Sequence, residues 1–380
     1  MSRPSAVPAN RPVAQDIDPR TYLLERYEGE RRRGMALRAY YSLKPLLPRP
    51  LQLGLRRLYA RRQERREFPA WPVEPLLVEH LHATLREELR RSGGGRLPIV
   101  NFWPRGHRFA AVLTHDVEGP AGVRNIPRVL DVERRHGMVS SWNFVAQWYP
   151  IPDGTFELVR DAGCEVGLHG IRHDGRLFAD RASFEANLPL IHRYLDEWDA
   201  VGFRSPATHR NAGWMGELGC LYDSSFPDTD PFEPQAGGCC SIFPFFIDDL
   251  VELPITLVQD HTVWEILRRD AVALWAQKTE WIARHHGLVN IIVHPDYVIS
   301  PERLATYEQF LVFLRERLDR DNGWHALPRD VAQWWRAREG LTVTQAQGDV
   351  QITGRDAASA EEATVAWVRE EGEGIVIDGG

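Results

Sequence analysis

From about residue 96 to Arg338 short apolar runs alternate with longer stretches of helical periodicity, the pattern of an α/β fold with a mostly parallel sheet. The spacing predicts strands over 109–114, 139–145, 165–168, 200–204, 250–255 and 288–293. Helices are expected between them over 123–136, 156–163, 181–198, 263–286 and 301–320, with one before them over 76–91 that stops at Ser92-Gly93-Gly94-Gly95. No solenoid period appears, so the unit is a single barrel or an open sheet. With 380 residues, 43% of them hydrophobic, the chain can bury a sizeable core, which excludes a disordered or fibrous protein.

The flanks differ from this middle part. The net charge is −7, yet residues 1–66 hold 16 Lys/Arg against 6 Asp/Glu. The whole chain therefore has no electrostatic case for nucleic acid, while its N-terminus is strongly basic. Residues 21–66 read as two basic helices broken at Pro45, Pro48 and Pro50. In the second, Leu51, Leu53, Leu55, Leu58 and Tyr59 fall mainly on one face beside Arg56, Arg57, Arg61 and Arg62. Such an arm packs on the main domain or on a second subunit of a homo-oligomer, or lies on an anionic membrane surface. The tail from Leu341 has 8 acidic and 2 basic side chains and is expected as a peripheral hairpin or loose extension. These shifts divide the chain into an arm (1–75), an α/β unit (76–340) and an acidic extension (341–380).

The first twenty residues lack a secretory apolar run and no 18 apolar residues are consecutive, so the expected location is the cytoplasm, with at most a peripheral place at the inner membrane face. The four cysteines, Cys164, Cys220, Cys239 and Cys240, form no CxxC and imply no disulfide framework.

Chemistry in parallel α/β folds gathers where strands end. The first strand delivers Thr114-His115-Asp116-Val117-Glu118, with two acids on one side of an extended chain. Acids this close call for a cation between them or for one to be held protonated. Another strand ends in His169-Gly170-Ile171-Arg172-His173, where two imidazoles four apart on a helical turn can grip one ion. A third gives Arg204-Ser205-Pro206-Ala207, a guanidinium suited to holding a carboxylate ionised. The last ends in His294-Pro295-Asp296, where a histidine with an acid in reach suits general acid work.

These four elements, in this order, resemble the NodB-homology polysaccharide deacetylases, carbohydrate esterase family four, a superfamily that also contains hydrolases of small cyclic amides. The resemblance covers about residues 108–338. Gly170 stands where the family's second motif usually has a hydroxyl residue, and Glu118 where many members have Asp. No segment cleanly matches the motif that orients the acid histidine; Asp260 and Asp270 are the candidates. Tyr222-Asp223-Ser224-Ser225-Phe226 reads as a structural segment after the arginine strand.

The resemblance implies a distorted (β/α)7 barrel behind a basic helical N-terminal arm, holding one divalent metal ion, zinc first, with cobalt, nickel or iron as alternatives. It implies Glu118, His169 and His173 as ligands, Asp116 as base, Arg204 as its tether, His294 as acid and the Ala207 amide as an oxyanion donor, with exchange of the Asp116 and Glu118 roles left open. The activity so implied is removal of an acetyl group from an N-acetylated carbohydrate, such as a lipid-linked or nucleotide-linked glycan precursor. Two other readings are a cyclic amide hydrolase whose mouth is narrowed by Cys239-Cys240 and residues 243–246, and a non-catalytic carbohydrate binder using some of the 13 tryptophans.

Overall fold

Strands form where a run is buried on both faces, and the clearest is Ala110–Val117, in which all eight residues are buried. The computed structural model describes residues 14–28, 49–346, 349–354, 357–372 and 374–379. In chain order the first strands are Leu97–Val100 (β1), Ala110–Val117 (β2), Ser140–Phe144 (β3), Glu165–Leu168 (β4), Gly202–Phe203 (β5), Tyr222–Asp223 (β6) and Phe245–Ile247 (β7). Leu250–Glu252 (β8), Leu288–Ile292 (β9) and Trp324–His325 (β10) follow, and Leu341–Ala346 (β11), Asp349–Gly354 (β12), Val365–Glu371 (β13) and Gly374–Gly379 (β14) make up the C-terminal part.

Among the described residues, the main sheet has nine strands in the order β10-β2-β3-β4-β5-β6-β8-β7, with β9 also paired to β2. All pairs are parallel except β7 with β8. The chain beyond β8 returns to β9: the amides of Thr256 and Leu257 donate to the Asn290 carbonyl at 3.1 and 2.9 Å. That seam closes a ring of seven parallel strands, β2, β3, β4, β5, β6, β8 and β9. The ring is distorted because β5 and β6 are only two residues long. The expected (β/α)7 barrel is therefore present.

Helices cover the outside. The best-marked is Pro301–Arg320, where Ser300 caps the first turn by accepting from the Arg303 amide, Pro301 supplies a preset φ, and Arg317 and Arg320 sit at the negative end. It buries Tyr307, Phe310, Leu311, Leu314 and Leu318, each worth roughly 1.5–3 kcal/mol of transfer free energy. The single helix expected over 263–286 is instead two segments, Thr262–Leu267 and Ala271–Arg284. Arg268 takes a left-handed conformation with φ 54°, and Asp270 caps the second segment through the Ala273 amide.

The acidic tail is not loose. β13 pairs with β1 and β14, and Ala366, Val368, Ile375 and Ile377 are buried with Trp103, Ala110, Leu288 and Trp334. Since Ala110 and Leu288 begin β2 and β9, the tail closes the amino-terminal end of the barrel, opposite the strand ends that carry the polar motifs. Phe243 packs on Phe102 and Trp335 in the same region, so residues 243–246 do not narrow the mouth, and Cys239 and Cys240 are buried rather than lining it. All four cysteines are free.

Of the arm, Arg49–Gln63 is a helix in which Pro50 sits near the start instead of breaking it. Of the helix expected before it, the described part holds only a short helix, Pro19–Leu23, and a 3-10 turn, Arg26–Glu28, while residues 29–48, with Pro45 and Pro48, lie outside the described residues. The helix sits on the main unit: Arg56 and Arg57 donate to the carbonyls of Phe232 and Glu265, and Ala60 is buried against Phe232 and Ile266. No described helix is long and apolar enough to cross a membrane.

Candidate metal and catalytic site

Four strand ends converge at the carboxyl-terminal mouth of the barrel. β2 places Asp116 and then Glu118, β4 leads into His169 and His173, β5 into Arg204, and β9 into His294. Glu118, His169 and His173 each offer one ligand atom, and these three atoms lie within 4.8 Å of one another. His173 Nε2 is 2.9 Å from Glu118 Oε1, and His169 Nε2 is 3.9 Å from Asp116 Oδ2.

The imidazoles are prepared for ligation. The Arg204 carbonyl accepts from His169 Nδ1 at 3.1 Å; a carbonyl only accepts, so Nδ1 carries the proton and Nε2 presents its lone pair to the site. Burial pushes the His169 ring down to about 4, so it is neutral near pH 7. Its Nε2 and that of His173 are buried without a hydrogen-bond partner, since the His173–Glu118 contact is close but misaligned. Two orphaned imidazole nitrogens beside a carboxylate form a donor set that fits a divalent ion such as zinc.

The histidine loop is not the expected helical turn. Gly170 has φ +67°, and a Cβ there would stand 2.8 Å from Pro206 Cδ. The resulting bend still brings the two rings to 5.5 Å between centroids. The positive φ and this contact together leave no room for a Cβ at this position.

Asp116 and Glu118 are held differently. Asn143 donates to Asp116 Oδ1 at 2.9 Å and Arg204 Nη1 lies 3.4 Å from the same oxygen, leaving Oδ2 toward His169. Burial opposes the charge on Asp116, but Arg204, His169 and His294 outweigh it and hold the carboxyl below its ordinary range. For Glu118 too, burial is outweighed by His294 and His173, and its carboxyl is also pushed down. Neither acid needs to stay protonated, because Arg204 stands against Asp116, His173 against Glu118, and His294 acts on both. Arg204 is itself fixed, donating to Thr114 Oγ1, the Ser224 carbonyl and Ser224 Oγ. The segment after the arginine strand is thus structural, as expected.

His294 Nδ1 is 2.6 Å from Asp260 Oδ1, and His294 Nε2 is 3.6 Å from Glu118 Oε1. Burial disfavours the imidazolium, but Asp260 and Glu118 overcome it and push the ring up to about 10. Of the two candidate orienting acids, Asp260 has this place and Asp270 is the helix cap. Ala207 sits in the Pro206–Thr208 turn with φ 54°; the turn's backbone bonds run from Thr208 to Ser205 and from His209 to Pro206 and do not use its amide.

Sequence reasoning missed Asn143 and the role of Asp296. Asp296 accepts from the amides of Glu118 and Gly122 at 3.0 and 2.9 Å and so sets the Glu118 backbone. Asn143 carried a usable signal, since it faces Asp116 in the parallel register of β2 and β3.

The mouth opens on one side. The Glu118 and His173 side chains are 26% and 25% exposed, whereas Asp116, His169, Arg204 and His294 are all buried.

No protein-family profile matches the chain. A curated peptidoglycan deacetylase of Helicobacter pylori is 22% identical over 230 residues, which span 50% of this chain and 78% of that one. Similar solved structures include a Mycobacterium smegmatis protein described as a polysaccharide deacetylase (TM-score 0.49, 20% identity, 65% of this chain and 96% of that one). An allantoinase (TM-score 0.49, 16% identity, 63% and 94%) and a family 4 carbohydrate esterase of Streptomyces lividans (TM-score 0.35, 12% identity, 58% and 93%) are others. The four motifs stand in their order on this barrel, and the chain is similar over half of its length to the Helicobacter peptidoglycan deacetylase.

Proposed function

We propose that this protein is a metal-dependent amide hydrolase that removes an acetyl group from an N-acetylated sugar. One observation carries the reading: a carboxylate and two imidazoles with orphaned Nε2 atoms stand between an arginine-held Asp116 and an aspartate-held His294. A divalent ion held by Glu118, His169 and His173, zinc first, would supply a water of lowered pKa and polarise the acetyl carbonyl. Asp116, kept ionised by Arg204 and Asn143, takes the proton from the attacking water. The Ala207 amide donates to the developing oxyanion. His294, doubly protonated and oriented by Asp260, delivers a proton from Nε2 to the departing amine, which is otherwise a poor leaving group. Acetate and a free amine result.

Metal content of the purified protein, followed by acetate release from N-acetylglucosamine oligomers with and without chelator, tests this. One ion per chain and chelator-sensitive acetate release are expected. A protein that takes up no divalent ion, or releases acetate equally in chelator, overturns it.

The substrate we favour is a lipid-linked or nucleotide-linked glycan precursor at the cytoplasmic membrane face. The arm supports this: Leu58 and Tyr59 are 67% and 55% exposed, with Arg61, Arg62, Arg65 and Arg66 exposed around them. An apolar pair ringed by cations suits an anionic lipid surface.

A further inference from the structure

Trp148 is 51% exposed, while the other tryptophans among the described residues are buried or half-buried. Leaving an indole in water forfeits a large hydrophobic gain, and its place is at the open side of the site: its ring centroid is 6.5 Å from that of His173.

The side chain stands on a fixed base. The amides of Ala146 and Gln147 donate to the carbonyls of Gly170 and Ile171 at 3.2 and 2.8 Å, tying the Trp148 loop to the histidine loop. Gln147 Nε2 donates to Tyr194 Oη at 3.2 Å. On the far side of Trp148, Tyr149 Oη donates to the Val117 carbonyl, one residue before Glu118. The loop is therefore anchored on both sides of Trp148 to the two segments that carry the candidate ligands. A rigid aromatic face beside the reacting centre binds a partner with little ordering cost.

We propose that the Trp148 indole is a stacking platform for a second pyranose ring, next to the sugar that bears the acetamide. The axial C–H face of a pyranose is apolar and meets an aromatic face well, while its hydroxyls stay in water. This inference rests on the proposed function and deepens it: the substrate is an oligosaccharide or longer glycan rather than a single amino sugar or a small cyclic amide.

The test compares full-length wild type, Trp148→Ala, Trp148→Phe and a remote exposed control, Val312→Ala, all zinc-loaded, on N-acetylglucosamine, its β-1,4-linked dimer and its trimer. In wild type and V312A, kcat/KM rises roughly ten-fold from monomer to trimer through KM, a size fitting one aromatic contact. W148A loses this rise with unchanged metal content and a kcat within about two-fold, and W148F restores part of it. Equal length dependence in W148A and wild type overturns the platform and leaves the deacetylase reading standing. If no substrate releases acetate, that reading falls, and calorimetric titration of the trimer decides the platform alone: tighter binding by wild type than by W148A supports it, and equal or absent binding overturns it.

Discussion

Asp260 holds His294 at two points: Oδ1 lies 2.6 Å from the ring Nδ1 and Oδ2 accepts the His294 backbone amide at 2.8 Å. The ring is thereby fixed in the orientation that aims Nε2 into the site. Replacing Asp260 by Asn keeps a side chain of the same shape and removes the charge. We expect kcat to fall about 100-fold or more with KM within a few-fold, because the acid is used in the transition state and not in substrate binding. Metal content stays at the wild-type level. A steady-state comparison with parallel metal analysis checks both.

Asp116 and Glu118 are separable by two readouts. Glu118→Gln removes the anionic ligand and lowers zinc affinity at least about 100-fold, judging from the ten- to hundred-fold cost of losing even an outer partner. Asp116→Asn leaves metal content near wild type while kcat falls about 100- to 10,000-fold. The opposite pattern in metal analysis and kinetics assigns the two roles the other way round.

Gly170 is a backbone requirement. Gly170→Ser places a Cβ 2.8 Å from Pro206 Cδ at φ +67°. A loss of roughly 1–2 kcal/mol is expected from the left-handed conformation alone. Because the bend presents both imidazoles, zinc affinity falls as well. Denaturant melts and zinc competition measure the two effects.

Glu165, at the amino-terminal end of β4, gives a pH signature remote from the mouth. Burial pushes its carboxyl up to about 7, despite the Tyr222 hydroxyl that donates to Oε1 at 2.6 Å. A carboxyl raised on folding penalises the fold once the unfolded chain ionises. The penalty is absent at low pH, grows from about pH 4.5 and levels off above about 7. Glu165→Gln keeps an acceptor for Tyr222 and removes the penalty. Its stability relative to wild type should rise over that window by at most about 3 kcal/mol, as followed by urea melts from pH 4 to 8.

The exposed pair on the arm helix makes the membrane reading testable. Leu58→Ser with Tyr59→Ser should reduce pelleting with vesicles of phosphatidylglycerol and phosphatidylcholine several-fold, and vesicles without anionic lipid should retain neither form. Equal pelleting of the variant excludes this surface.

Much of the barrel was legible because its long strands are continuous apolar runs; the predicted span 165–168 and helix 301–320 coincide with the observed ones. The predicted span 200–204 contains β5, but β6, only two residues long, was too faint a signal, and its place in the ring comes from its neighbours rather than from its own composition. The site's charged members could be found because each ends an apolar run, and Asp260 obeys the same rule after the run 253–258, although local pattern could not choose it over Asp270. Asp296 could not be read in its role, since its partners are backbone amides some 170 residues away. Gly170 looked like a departure and turned out to be a packing demand, which only the proximity of Pro206 reveals.

The ring of strands is joined at its ends around Thr256 and Asn290: the Asn290 carbonyl accepts from the Thr256 and Leu257 amides, while Thr256 Oγ1 donates to the Leu288 carbonyl and accepts from the Asn290 amide. Asp260 lies on one lip of this join and His294 on the other, whereas Glu118 follows β2 and the two imidazoles follow β4. A local parting there would draw Asp260 away from His294 while β2, β3 and β4 stayed paired.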